Sequence, residues 1–108
     1  MANDTKLYTG KTGTGGALTT SGDATDWVLV SKGDVLAIVI PAGITGTVNV
    51  EKSFDGVNAE TPVLTADDGT TNFASGANME YGSDVTEYIR VIATTVTSGS
   101  ATPKIKRN

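Results

Sequence analysis

Residues 34–56, DVLAIVIPAGITGTVNVEKSFDG, limit the fold of this chain more than any other stretch. Residues 35–40, VLAIVI, are apolar on both faces, which suits a central strand covered on both sides or covered on one side by another subunit. Pro41 ends the run because proline cannot donate to a ladder, and Ala42 and Gly43 supply a turn. Residues 45–53 then alternate: Val48 and Val50 point one way, Thr47, Asn49 and Glu51 the other. Asp55–Gly56 is a strong turn signal, and Phe54 before it is expected to cover an open end of the core. The stretch reads as two long strands joined by a turn. Its natural partner is 87–96, EYIRVIATTV, with Ile89, Val91 and Ala93 on one face and Tyr88, Arg90, Ile92 and Thr94 on the other.

The rest of the chain is sparser. Residues 6–9, KLYT, form a short strand with Leu7 and Tyr8 as bulky anchors, and 10–16, GKTGTGG, are too glycine-rich for regular structure. Residues 1–24 therefore read as a Gly/Thr-rich arm, either flexible or ordered on a partner, and 25–108 as one β-domain. Residues 26–31, DWVLVS, are a short apolar run in which Trp27 is expected to plug one end of the core; sugar stacking is the alternative use of that ring. A strand at 61–66 begins near Pro62, which places it at an edge. Residues 71–74, TNFA, suggest a strand anchored by Phe73, and Met79 and Tyr81 fall in an expected loop. Residues 101–106 form a last strand with Ile105 inward. No segment keeps a helical period over two turns, and turns recur at the spacing of a sandwich or barrel. The expected class is all-β, a small antiparallel β-sandwich, either immunoglobulin-like or jelly-roll-like.

Composition narrows the function. The 108 residues make one domain with a thin core, so subunit contacts are expected to add buried area. The net charge of −4 argues against broad nucleic-acid binding, which needs a cationic face. Lys104, Lys106 and Arg107 read as a solvated tail or, alternatively, a docking tail. With no Cys there is no disulfide framework and no thiolate metal site; with no His the usual general base and commonest metal ligand are missing. The N-terminus lacks the apolar core of an export signal, and no apolar run approaches a membrane span.

Other constellations fail as catalytic chemistry. Gly10–Lys11–Thr12 matches the end of a phosphate-binding loop, but Thr5 stands where the first glycine is required and no helix follows. Asp67, Asp68 and Asp84 lack the order of a calcium loop, and turn chemistry explains them. Glu51, Glu60, Glu80 and Glu87 are expected to be solvated rather than paired across a cleft. Arg90 reads as an outward residue paired with Glu51 or another acid across the sheet, or as a subunit contact. The chain is not expected to be an enzyme, nor to carry a metal or cofactor.

VNVEKSFDG at 48–56, TPV at 61–63 and EYIRVIATTVTSGSATPKI at 87–105 resemble a group of small bacteriophage virion proteins. These carry a strand ending in a Glu–x–Ser–Phe–Asp–Gly turn and a later Tyr–x–Arg strand closing in a Ser–Gly turn; the similarity covers roughly residues 34–106. Where that pattern often has an aromatic after the Asp–Gly turn, this chain has Val57–Asn58–Ala59. The resemblance implies a non-enzymatic decoration, or cement, protein, made in the host cytoplasm and located on the capsid surface. It implies a homotrimer that bridges major-capsid subunits, with no nucleic-acid or membrane partner. Expected contacts are Leu7 and Tyr8 of the arm and one sheet face carrying Arg90. The alternatives are another virion part (tail, collar or head-fibre base) and a carbohydrate-binding sandwich using Trp27, Tyr81 or Tyr88.

Overall fold

The computed structural model describes residues 7–9, 17–60 and 72–107. The expected strand at 61–66, Asp67, Asp68 and the 10–16 segment lie outside the described residues. Among the described residues seven strands follow in order: β1 (Leu7–Thr9), β2 (Val28–Val30), β3 (Val35–Ile40), β4 (Ile44–Ser53), β5 (Ala77–Gly82), β6 (Glu87–Gly99) and β7 (Lys104–Arg107). They form two antiparallel sheets, ordered β1-β7-β3-β5 and β2-β6-β4. Each described strand is followed in this order by a strand of the other sheet. An immunoglobulin sandwich keeps some consecutive strands side by side in one sheet. The described strands instead alternate at every step, within the small antiparallel β-sandwich that the sequence led us to expect.

This alternation corrects the reading of 34–56. Both strands exist, and β4 pairs with β6 along its whole length, from Ile44 opposite Gly99 to Ser53 opposite Tyr88. Pro41, Ala42 and Gly43, however, carry the chain from one sheet to the other. β3 pairs with β5 and β7 instead. As a central strand it buries Leu36, Ile38 and Ile40, while Val35, Ala37 and Val39 are half-buried on the outer face.

The core lies between the sheets. Val28, Val30, Val48, Val50, Ile89 and Val91 face Leu36, Ile38, Ile40 and Ile105, and Leu18, Phe73 and Ala101 come from connections. Each fully buried aliphatic side chain contributes roughly 1.5–3 kcal/mol before chain entropy is counted. Leu18 is fully buried and bridges Ala101, so packing begins within the segment read as an arm rather than at residue 25. Residues 104–107 are a strand inside a sheet, not a solvated tail.

Three further expectations change. Residues 77–82 are a strand and not a loop, because Tyr81, Met79 and Ala77 pair opposite Leu36, Ile38 and Ile40 and pack on the core. Phe73 is fully buried but not on a strand. Asn72 takes the Val48 N–H on its Oδ1 at 3.0 Å, and the Phe73 N–H donates to the Val48 carbonyl at 2.8 Å. This side-chain cap on the outer edge of β4 drops Phe73 into the core. Finally, Phe54 does not close the core: it is exposed.

Candidate interaction surface

The outer face of β2-β6-β4 is built around Arg90. Strand alternation points Arg90 outward from β6, opposite Glu51 on β4. Its Nε and Nη2 each donate to Glu51 Oε1 at 2.9 Å. Its guanidinium also lies 4.3 Å from the centre of the Trp27 ring. Trp27 reaches that place through an irregularity at the sheet edge. Ala24 bridges Ile92 and Val28 pairs with Ile89, so four steps on one strand match three on the other. The extra residue is a bulge, and bulges re-aim side chains. Thr25 holds it: its N–H donates to the Val91 carbonyl at 2.9 Å, and its Oγ1 accepts the Val91 N–H at 3.0 Å. Trp27 thus lies half-buried on the outside, not as a core plug.

One rung further along, Leu29 pairs with Tyr88, and Tyr88 with Ser53. The turn after Ser53 folds over that rung, so that a Cβ on Gly56 would stand 3.2 Å from the Tyr88 ring. The turn is tightly bonded. Asp55 Oδ1 accepts the N–H groups of Val57 and Asn58 at 2.8 Å each and the Ser53 hydroxyl at 2.9 Å. Its Oδ2 accepts the Asn58 side-chain amide at 2.9 Å. The N–H of Asn58, then that of Val57, then the two side-chain donors hold the Asp55 carboxyl well below the usual carboxylate range. With its polar groups bonded to one another at the surface, the turn shows Phe54 and Val57 to solvent.

Leu29, Phe54, Val57 and Val85 are the large apolar side chains exposed among the described residues, at 48%, 60%, 74% and 46%. All four lie at the end of the sandwich where β6 begins: Leu29 opposite Tyr88, Phe54 and Val57 in the turn after Ser53, Val85 in the loop before Glu87. The opposite end, around 94–100 and 19–21, is rich in exposed Thr and Ser.

Of the expected contact residues, Arg90 lies at the centre of the three-stranded sheet, whereas Leu7 and Tyr8 lie on β1 at the edge of the four-stranded one. The structure does not bring them together. Glu51 is paired, and Glu87 is buried at 1% exposure, which corrects its reading as a solvated acid. Glu87 Oε2 accepts from the Tyr81 and Ser83 hydroxyls. Strand parity was the signal for this burial, since 87, 89, 91 and 93 share a face. Leu29, Phe54, Val57 and Val85 were not foreseen as a group, because the sheet alternation that gathers them is not written locally. Among the described residues no three His, Cys, Asp or Glu side chains group as metal ligands. No helix among them is long and apolar enough to cross a membrane. Compared with models of protein families, with curated proteins and with solved structures, the chain matches none.

Proposed function

We propose that this chain is a non-enzymatic virion structural protein that decorates a phage capsid and bridges major-capsid subunits, acting as a homotrimer on the particle surface. The gathering of Leu29, Phe54, Val57 and Val85 at one end carries this reading. Exposed apolar side chains scattered singly need no explanation, whereas a cluster beside Trp, Tyr and Arg has the composition of a protein contact. The small β-sandwich is compatible with it, though fold alone assigns no function. The motif resemblance to small virion proteins over 34–106 is the reason for naming major-capsid subunits as the partner. Stabilisation would follow by mass action, since the protein binds the assembled lattice and not dispersed subunits.

Three observations weigh against the carbohydrate reading. Arg90 covers one face of Trp27, Gly56 stands over Tyr88, and Tyr81 packs against the core with its hydroxyl on Glu87.

Electron microscopy of virions from the phage that encodes this chain tests the proposal. Many copies over the shell, and particles that lose heat or low-salt resistance when the gene is deleted, are expected. A few copies at one vertex would move the protein to a tail, collar or fibre base. Unchanged particle stability would remove the cement role.

A further inference from the structure

We propose that Glu87, Tyr81 and Ser83 form a built site for one internal water molecule, which donates to Oε1 of Glu87. The site lies between the sheets, where the chain leaves β5 and enters β6. Glu87 is 1% exposed, and its Oε1 is buried without a hydrogen-bond partner. Ser83 is also buried, at 3%. Such an oxygen is costly to leave bare, and buried polar atoms without a protein partner are the usual anchors of internal waters.

Counting protons gives the chemical class of the ligand. The acceptors are Glu87 Oε2, Glu87 Oε1 and the Val85 carbonyl oxygen. The protein donors are two hydroxyls, each with a single proton. Tyr81 gives its proton to Oε2. Ser83 Oγ stands 2.9 Å from Oε2 and also against the Val85 carbonyl, and it can serve only one of them at a time. Two protons face three acceptors, so the site is short of a donor. A metal ion is a poorer fit, because the cluster offers one carboxylate and hard cations prefer six or more oxygens. A neutral donor the size of water matches the deficit. With it, the network fastens the loop that carries Val85 to both sheets, through Tyr81 on β5 and Glu87 on β6.

A high-resolution crystal structure of the full chain tests this. The expected result is a single density peak roughly 2.7–3.2 Å from Oε1 of Glu87. The companion measurement is a water-to-amide nuclear Overhauser effect at residues 85–87 that marks a long-lived bound water in the wild-type protein. Oε1 packed against carbon with no peak and no such effect would overturn the proposal. So would a peak with several shorter oxygen contacts, which would be an ion. A neutral-acid carbonyl band in the infrared spectrum that disappears in Glu87→Gln would also overturn it, since a proton on the carboxyl would then meet the deficit.

Discussion

Arg90 is held twice, by Glu51 across the sheet and by the Trp27 ring over its guanidinium. Both partners are partly exposed, so the two interactions together are worth about 1 kcal/mol. Arg90→Ala should destabilise by about that amount in urea unfolding and shift the emission of Trp27, the single tryptophan, to the red. An unshifted emission would mean that the ring does not depend on Arg90. Pairing of Arg90 with Glu51 was legible, because alternation puts both outward in neighbouring strands. Placement of Trp27 was not: an apolar run reads alike with or without a bulge. At Tyr81, burial first and the adjoining Glu87 carboxylate second push the phenol well above its ordinary value. The protonated phenol is the form that the fold supports. Its contribution is complete below the unfolded value of about 10 and is lost as the pH rises towards the folded-state value. Tyr81→Phe should cost roughly 1–3 kcal/mol at neutral pH, because it leaves a buried carboxylate short of a donor. The gap between wild type and variant should then narrow in unfolding curves taken above about pH 10. A constant gap across that range would contradict a raised phenol pKa in the folded state.

β4 and β6 were readable because their own side chains alternate; β5 was not, because ANMEYG gains its strand character from pairing with β3. The same pairing of distant segments decides where glycine is indispensable. β4 shifts register on both sides of residues 46–47, and a Cβ at Gly46 would lie 2.0 Å from the Thr95 carbonyl oxygen. Gly33 also has a positive φ, of 92°, but a Cβ there would meet nothing within 4 Å. Gly33→Ala should therefore cost about 1 kcal/mol from backbone strain alone. Gly46→Ala should cost several-fold more, because the β4–β6 ladder must open to admit a methyl group. Equal midpoints in thermal unfolding would refute the close approach. The turn after Ser53 depends on charge in the other direction. The Asp55 carboxylate is the supported form, so its contribution is present above the ordinary carboxylate value of about 3.9 and is lost as the pH falls through the depressed folded value. Asp55→Ala should expose the Val57 and Asn58 amides to fast hydrogen exchange while the β4–β6 amides stay protected. Slow exchange at both amides in the variant would show that the turn holds without its carboxylate.

For the whole molecule, the sequence pattern announces a sandwich but not which loops meet. That depends on how the described strands alternate between the sheets, which sets the turn after β4 against Tyr88 of β6, the partner of Leu29 on β2. Phe54 seemed suited to closing the core because it follows a strand of buried valines; the Asp55 turn instead rotates it outward beside Val57. Two bulky apolar side chains held in solvent beside a network of hydrogen bonds gain nothing for the isolated fold; under the proposed function their value lies in a complex. The double variant Phe54→Ser, Val57→Ser separates these roles. Both residues are exposed, so their replacement should change unfolding stability by no more than about 0.5 kcal/mol. If this end is the contact that decorates the shell, the same variant should lose at least roughly tenfold in occupancy on purified particles, since aromatic anchors at the centre of a contact carry much of its free energy. Replacing Thr95 and Thr97 at the hydroxyl-rich end should leave occupancy unchanged. A folded double variant that still loads particles fully, beside Thr variants that do not, would place the contact at the opposite end of the sandwich.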